Sequence, residues 1–293
     1  MTRETRTLID GVYFGEGPRW HDGRLWFSDF FAHAVKSVSP AADVRTEFTL
    51  DGDRPSGLGW LPDGDLLVVS MERRQLLRRA PDGKLSKHAD LSGIATWHCN
   101  DMVIDAKGRA YVGNFGFDLD AAIGARGIQA VLADHPTAKL ALVQPDGTVS
   151  EAAADLHFPN GTVITPDGGT MIVGETLGAC LTAFDVGADG ALSNRRQWAA
   201  LGPRLPDGIC LDAEGAIWIA NPIAPECARI AEGGKVLEVI DTGMPCYACM
   251  LGGSDGRTLF MLTAPSSLPS QVAARPLGRI VVAEVDAPHA GLP

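Results

Sequence analysis

Hydrophobic and polar positions form a short pattern that recurs from end to end of the chain. A turn containing Gly is followed by a run rich in β-branched, aromatic and aliphatic residues, with copies at 21 (HDGRLWFSD), 62 (PDGDLLVVS), 106 (AKGRAYVGN), 166 (PDGGTMIVG), 213 (AEGAIWIAN) and 254 (SDGRTLFML). The Gly supplies the positive φ of a tight hairpin turn, and the residues after it favour a strand. The pattern therefore predicts six turn-plus-strand units.

The spacing of these units predicts the architecture. Their turn glycines lie 41, 44, 60, 47 and 41 residues apart, at Gly23, Gly64, Gly108, Gly168, Gly215 and Gly256. A small sheet of about 40 to 50 residues buries both faces when it packs radially against similar sheets, as in a β-propeller. We predict an all-β, six-bladed β-propeller formed by one domain over residues 1–293. RTLID at 6–10 and GRIVVAEVD at 278–286 are suited to close the ring by pairing the chain ends.

One spacing, 60 residues, exceeds the others, and the surplus falls in the segment 118–139. Long connections in compact domains are often functional. The segment is either a lid over one face of the ring or a decorated hairpin, and the sequence leaves both interpretations open.

Composition narrows the class of protein. Of the 293 residues, 45% are hydrophobic and 21% are charged, and the formal net charge of -11 disfavours binding to nucleic acid. The N-terminal residues lack the apolar stretch of a signal peptide, and no apolar run is long enough for a membrane helix. We therefore expect a cytoplasmic protein, monomeric as a closed propeller, that binds neither nucleic acid nor membrane. Cys246 and Cys249 have the spacing of a zinc or redox pair, but without a second such pair we expect buried thiols.

Alignment of the six copies on the turn Gly reveals a column of mostly polar residues about eight positions upstream. Its members are Glu16, Ser56, Asn100, Asn160, Asp207 and Ala248. This position suits the loop that enters the innermost strand of a blade, and in a propeller those entries surround the central channel at one end. Residues far apart in sequence are therefore expected to converge there.

The polar members of this column have the chemistry of a cation site. Glu16, Asn160 and Asp207 would supply two carboxylates and an amide oxygen, with Asn100 beside them. Oxygen ligands suit Ca²⁺, Mg²⁺ and Mn²⁺, whereas Zn²⁺ usually recruits His or Cys as well. Asn and Asp in loops also form turns with their own backbone, but four polar members of one column favour the cation. The sequence thus predicts one divalent cation, Ca²⁺, Zn²⁺, Mn²⁺ or Mg²⁺, at the centre of the propeller.

The strings around these positions resemble the family of senescence marker protein, gluconolactonase and luciferin-regenerating enzyme, which are six-bladed propellers with lactonase activity. The resemblance spans the chain and depends on GEGPRW (15–20), HCNDMVIDAKGR (98–109), PNGTVITPDG (159–168) and LPDGICLDAEGAIWIAN (205–221). It implies that Glu16, Asn160 and Asp207 bind the cation. It also implies that Asp207 is the general base and that Asn100 contacts the substrate or a water molecule.

Two departures from the family's pattern change the expected substrate. The sugar lactonases carry an Arg two residues before the substrate Asn, where this chain has His98, so an Arg fork on sugar hydroxyls is missing. Asp118 stands about where the family has a sugar-contacting carboxylate, and it is shorter than the expected Glu. We expect His98, Asn100 and Asp118 to bind substrate. A less hydroxylated lactone is favoured if the nearby apolar side chains line the pocket rather than pack within blades: Trp97, Cys99, Met102, Phe115 and Phe117.

The expected function is a metal-dependent hydrolase that opens a small lactone with water. The cation would polarise the carbonyl group, and Asp207 would take a proton from the attacking water. No nucleophilic Ser is required, so a Ser-His-Asp esterase is disfavoured. Three alternatives stay open: a phosphotriesterase-like metal hydrolase that uses the same site, a non-catalytic propeller that serves as a binding scaffold, and a cation with a purely structural role in the channel.

Overall fold

The protein is a six-bladed β-propeller, as the repeat predicts. A computed structural model describes residues 3–293, in which six four-stranded antiparallel sheets each form one blade. The prediction of one domain over residues 1–293 includes residues 1 and 2, which lie outside the described residues.

The first strand of the chain belongs to the sixth blade, and three blades follow it in sequence. The first strand is β1 (Arg6–Val12). The first two blades contain β2 (Gly15–His21), β3 (Arg24–Asp29), β4 (Ala34–Val38) and β5 (Val44–Thr49), then β6 (Pro55–Trp60), β7 (Leu66–Ser70), β8 (Gln75–Arg79) and β9 (Leu85–Asp90). The third contains β10 (Cys99–Ile104), β11 (Ala110–Asn114), helices α1 (Leu119–Arg126) and α2 (Ile128–Ala133), β12 (Ala138–Val143) and β13 (Val149–Leu156).

Three further blades follow, and short 3₁₀ helices lie at Phe30–Ala32 and Thr176–Gly178. The fourth and fifth blades contain β14 (Pro159–Ile164), β15 (Thr170–Glu175), β16 (Cys180–Val186) and β17 (Leu192–Ala200), then β18 (Ile209–Leu211), β19 (Ile217–Asn221), β20 (Glu226–Ile230) and β21 (Val236–Asp241). The sixth contains β22 (Cys246–Gly252), β23 (Thr258–Thr263), helix α3 (Pro269–Val272) and β24 (Gly278–Glu284).

The two ends of the chain close the ring, as the terminal sequences predict. Strand β1 pairs antiparallel with β24, with Ile9 opposite Ile280, and becomes the outermost strand of the sixth blade. The last blade is thereby held by hydrogen bonds from both ends of the sequence, and the ring has no gap between its first and last blades.

The six turn glycines have the conformation that the sequence predicts. Each lies between the first and second strands of its blade with φ between +70° and +92°. Aliphatic side chains fill the space between neighbouring blades. One buried cluster joins the second and third blades, and another joins the fourth and fifth. Packing between sheets therefore supplies the core that a single blade lacks.

The segment 118–139 contains α1 and α2 and lies beside one end of the channel. Its Leu119 and Ile123 pack against Phe158 and Leu177 of the fourth blade. The insertion thus contacts the neighbouring blade, and its role as a lid stays a prediction. Within the described residues, no helix has the length and hydrophobicity needed to span a membrane.

Candidate functional site

Four members of the polar column share one cavity at the end of the channel. This cavity, which we call the central cavity, has a volume of about 180 Å³ and is lined in part by Glu16, Asn100, Asn160 and Asp207. Three of these are the second residues of innermost strands, and Asp207 lies two residues before β18. The structure therefore brings together the polar residues that the alignment of the repeats predicted to converge.

Glycines directly after the column residues allow the innermost strands to approach closely. A Cβ atom on Gly161 would lie 2.5 Å from the amide nitrogen of Ile209 and 2.6 Å from the carbonyl oxygen of Asp207. A Cβ atom on Gly208 would lie 2.7 Å from Cα of Ala248. Any side chain would push the strands apart, so the Asn-Gly and Asp-Gly pairs hold Asn160 and Asp207 side by side.

Glu16 and Asp207 differ from the other buried acids in charge compensation. Eight carboxylates are buried within residues 3–293: Glu16, Asp29, Asp53, Asp101, Asp105, Glu175, Asp207 and Asp212. Six of them have a basic side chain within 4.0 Å. In the part of the chain that is described, Glu16 and Asp207 are the two without one. Because a buried charge without a partner is costly, positive charge from outside the chain would stabilise the ionised form of this pair.

The electrostatics of the two acids support the same conclusion. Burial, with repulsion from Asp207 and Asp101, raises the pKa of the Glu16 carboxyl well above its ordinary value. Burial likewise raises the pKa of Asp207, while a hydrogen bond from Asn160 opposes the rise and repulsion from Asp101 adds to it. A divalent cation would favour the ionised form of both groups.

Asn160 presents an amide oxygen that no protein group uses. Its Nδ2 donates to Thr176 Oγ1 at 3.1 Å and to Asp207 Oδ1 at 2.5 Å. Thr176 Oγ1 in turn donates to the carbonyl oxygen of Pro206 at 2.7 Å, so it accepts from the amide. These contacts fix the orientation of the side chain and leave Asn160 Oδ1 buried without a hydrogen bond within the described residues. An unpaired buried oxygen beside two carboxylates is a suitable third ligand for a hard cation.

The donor set fits an oxygen-preferring cation better than zinc. No group of three or more His, Cys, Asp or Glu side chains with metal-binding geometry occurs in residues 3–293, so a three-ligand set requires the Asn160 amide. Neither His nor Cys is among the described residues that line the central cavity. The thiols of Cys246 and Cys249 are buried in β22, as their strand context predicts. Glu16, Asn160 and Asp207 together are suited to Ca²⁺, Mg²⁺ or Mn²⁺.

Asn100 lies in the same cavity, and its amide nitrogen makes no hydrogen bond to the described residues. Its side chain is buried, and Ser56 Oγ donates to its Oδ1 at 3.4 Å. With the oxygen engaged on the wall of the channel, the amide N–H groups are left to donate to a group inside the cavity. This placement is compatible with the predicted contact between Asn100 and substrate.

His98 and Asp118 lie outside the central cavity, in an adjoining depression. Asp118 is the N-cap of α1, and its carboxylate accepts a hydrogen bond from the amide of Ala121 at 3.0 Å. The carboxylate that lines the central cavity from this helix belongs to Asp120. The structure therefore does not bring His98 and Asp118 together with the four column residues.

Arg54 is a cavity residue that the sequence analysis missed. Its side chain lines both the central cavity and the depression, and its Nη2 donates to Nδ1 of His98 at 3.4 Å. The position before Asn100 at which an Arg was noted as missing is His98, and an Arg enters the cavity from the second blade instead of the third. A signal was present in the sequence: Arg54 precedes Ser56 by two residues, as His98 precedes Asn100.

The remaining walls of the central cavity are mainly apolar. Phe14 packs against Tyr247 with 4.7 Å between ring centroids, and Phe115 stacks on Phe158 at 4.4 Å. Helices α1 and α2 add Leu119, Ile123 and Ile128. Of the five wall residues weighed from sequence, Phe115 lines the cavity, whereas the others pack between blades, against the insertion helices or in the depression: Cys99, Met102, Phe117 and Trp97.

Fold and site together define a six-bladed β-propeller with an oxygen-rich cluster at one end of its channel. The sequence profile described as "SMP-30/Gluconolactonase/LRE-like region" matches residues 14–265. The chain belongs to this family, which confirms the resemblance found in its motifs.

Relatives cover nearly the whole chain. Pentonolactonase XacC of Haloferax volcanii is 26% identical over 275 residues, which are 89% of this chain and 84% of the relative. A gluconolactonase from Xanthomonas campestris superposes with a TM-score of 0.73 at 23% identity, over 99% of this chain and 90% of that one. The calcium-binding regucalcin of Agrobacterium tumefaciens gives 0.78 at 20% identity, over 100% and 97%. The two structures share the propeller fold with this chain.

Proposed function

We propose that this protein is a divalent-cation-dependent hydrolase that opens a small lactone less polar than an aldonolactone. The observation that carries the proposal is the pair of buried carboxylates, Glu16 and Asp207, without a basic partner in the described chain, next to the unpaired Oδ1 of Asn160. These three groups would hold the cation. Two names among the relatives, pentonolactonase and gluconolactonase, support the reaction class.

The residues of the cavity have separate roles in the proposed reaction. The bound cation would supply a Lewis acid that polarises the lactone carbonyl and stabilises negative charge on its oxygen. Asp207 takes a proton from the attacking water, whose oxygen bonds to the carbonyl carbon. When the ring C–O bond breaks, Asp207 returns that proton to the leaving alkoxide. Asn160 holds the Asp207 carboxylate in place through the hydrogen bond to its Oδ1, and Asn100 donates an N–H to the substrate.

The cavity supports a small and mainly apolar substrate. Its volume of about 180 Å³ is below the roughly 300 Å³ at which pockets for drug-sized ligands begin. Phe14, Phe115, Phe158 and Tyr247 surround the polar cluster. Aromatic walls exclude water from the reacting groups and leave few partners for a ring that carries many hydroxyls.

The insertion supports the proposed site as a lid. Ile123 and Ile128 line the central cavity from α1 and α2, and Ile128 is 37% exposed. Apolar side chains at the mouth of the cavity would cover a bound lactone and limit access of bulk water. This role is part of the proposal, as are the native cation and the compartment.

Lactone hydrolysis with controlled cations tests the proposal. Proton release is followed on metal-stripped protein with Ca²⁺, Mg²⁺, Mn²⁺ or Zn²⁺ restored, on sugar lactones and alkyl lactones. We expect cation-dependent turnover, faster on alkyl than on sugar lactones, that falls by about 10³-fold or more in Asp207→Asn. Asp22→Asn is the matched control, because Asp22 is exposed at the opposite end of β2 from Glu16.

Two outcomes would contradict the proposal in different ways. Turnover that persists without cation, or that survives Asp207→Asn, would remove the proposed mechanism. A bound cation without hydrolysis of any lactone would favour a phosphotriester substrate or a structural cation, and a phosphotriester assay on the same samples separates these.

A further inference from the structure

A second ring of residues surrounds the polar cluster. These residues stand two positions before each column member: Phe14, Arg54, His98, Phe158, Leu205 and Cys246. Phe14, Arg54, Phe158 and Leu205 line the central cavity, so the ring forms its wall above the polar floor. Arg54 is the one basic side chain among the described residues of that lining. It therefore places a guanidinium beside the apolar members of this ring, Phe14, Phe158 and Leu205.

Arg54 is held in position by groups below it. Its backbone amide donates to Oδ1 of the buried Asp53 at 2.7 Å, and the same oxygen accepts from the amide of Glu72 at 2.9 Å. Its Nε donates to Glu72 Oε1 at 2.7 Å, and its Cζ lies 5.8 Å from the ring centre of Phe31. Within residues 3–293 its Nη1 makes no hydrogen bond. The guanidinium is thus oriented in advance with N–H groups left for a ligand.

Asp120 faces the same space from the insertion. It lies in the first turn of α1 and lines both the central cavity and the depression, as Arg54 does. Its carboxylate makes no hydrogen bond within the described residues. Burial raises the pKa of Asp120, and the positive charge of Arg54 opposes that rise. The cavity therefore offers a fixed donor and a free acceptor at one place in its wall.

We propose that Arg54 and Asp120 form a subsite for a single hydroxyl substituent on the lactone, a specificity inference that rests on the lactonase function proposed above. A hydroxyl group can accept from the guanidinium and donate to the carboxylate at once. A carboxylate substituent would be attracted by Arg54 but repelled by Asp120, and an ammonium would be attracted by Asp120 but repelled by Arg54, whereas a hydroxyl can hydrogen-bond to both. An alkyl substituent would displace water from Arg54 and Asp120 without replacing the hydrogen bonds that the water made.

The rest of the cavity restricts the substrate to one such group. The cavity is also lined by Phe158, Leu205 and Tyr247, together with Ile123 of α1. Further hydroxyls would be buried against these apolar groups without partners, which is costly. The preferred substrate is therefore a monocyclic lactone with one hydroxyl-bearing substituent and an otherwise apolar ring.

Two lactones that differ by one hydroxyl test the subsite. These are γ-hydroxymethyl-γ-butyrolactone and γ-valerolactone, with γ-carboxy-γ-butyrolactone as the charged comparison. We expect the wild type to prefer the hydroxylated lactone in kcat/KM by about 10- to 100-fold over each of the other two. In Arg54→Met and in Asp120→Ala, the ratio of hydroxymethyl to methyl lactone should fall to within about threefold of one. Arg45→Met, at an exposed arginine of the first blade that lies outside the cavity, should keep the wild-type ratio.

The ratio separates recognition from a structural effect. A variant that loses kcat/KM equally on both lactones would show that Arg54 only supports the fold, and the subsite would be wrong. Equal rates on the two lactones in the wild type, or a preference for the carboxylate, would also overturn it while leaving the lactonase function standing. Absence of turnover on all three lactones and on the wider panel would instead contradict the lactonase function itself.

Discussion

Two kinds of buried carboxylate lie side by side at the centre of this propeller. Asp101 pairs with Arg19 at 2.8 Å, and the same guanidinium donates to backbone carbonyls of three innermost strands, at Pro18, Leu58 and Met102. The second kind, Glu16 and Asp207, has no basic partner in the described chain although its burial is similar. The first arrangement is compensated by the protein itself, whereas the second would gain compensation from the cation proposed above.

This difference indicates which buried charges serve the fold and which serve the site. A compensated ion pair inside a protein costs stability when one partner is removed. An uncompensated pair of acids costs stability while it is present and can be retained for function. The sign of a mutation's effect on stability therefore distinguishes the two kinds, and the following predictions use that sign.

Arg19→Met should give the largest effect on stability, because it turns Asp101 from a compensated buried carboxylate into an uncompensated one. Asp101 would be left buried without its partner, and three carbonyl groups would lose a donor. We expect the free energy of unfolding to fall by about 3–5 kcal/mol, measured by urea denaturation. Arg45→Met, at an exposed pair with Asp43, is the control and should change it by less than about 1 kcal/mol. If the free energy of unfolding fell by less than about 1 kcal/mol in Arg19→Met, the Arg19–Asp101 pair would not support the fold.

Cation binding should offset the loss of folding stability that the uncompensated carboxylates, Glu16 and Asp207, cause. At a cation concentration 100 times the Kd, the free energy of unfolding should rise by about 2.7 kcal/mol. The increase should disappear in Asp207→Asn and persist in Asp22→Asn, as measured by thermal unfolding with and without chelator. Equal stabilisation of Asp207→Asn would place the cation elsewhere on the protein.

Glu16→Gln should stabilise the cation-free protein, which is the opposite sign to Arg19→Met. The change removes one of two adjacent buried acids and keeps the size of the side chain. We expect a gain of up to about 2 kcal/mol without cation, together with loss of cation-dependent turnover. Urea denaturation in chelator measures the gain. A loss of stability in chelator would show that the Glu16 carboxylate is already satisfied by the protein.

The sequence predicted the fold and the polar floor of the cavity for one reason, since both repeat once per blade. The turn glycines give the blade register, and that register places Glu16, Asn160 and Asp207 at equivalent positions of three blades. Asp118 was misplaced because its position depends on where α1 begins. As the N-cap it points back to the helix, and Asp120 faces the cavity instead. A helix start in an insertion has no counterpart in the other blades, so the repeat could not reveal it.

Arg54 shows the limit of a pattern that is examined one blade at a time. His98 stands two positions before Asn100, where the family carries its Arg, and Arg54 stands at the same offset before Ser56 in the second blade. The structure shows that side chains from adjacent blades at this offset meet, since Arg54 Nη2 lies 3.4 Å from Nδ1 of His98. Because side chains at this offset converge in space, the same type of side chain can be supplied to the cavity by a different blade. The lining of such a cavity is therefore predicted best from all six copies of the repeat together.

Substitution of Thr176 gives the smallest predicted effect, a change in cation affinity that depends on how Asn160 is oriented beside Asp207. Its hydroxyl accepts from Asn160 Nδ2 and donates to the carbonyl of Pro206, which leaves Asn160 Oδ1 free. In Thr176→Val the side-chain amide of Asn160 loses the hydrogen bond to Thr176. It can then rotate, so that Asn160 Oδ1 is no longer directed at the cation. We expect cation affinity to fall about tenfold, measured by calorimetric titration, with little change in cation-free stability. Thr176→Ser keeps the hydroxyl and should restore affinity, whereas an equal loss in both variants would show that the methyl group, and not the hydrogen bond, positions Asn160.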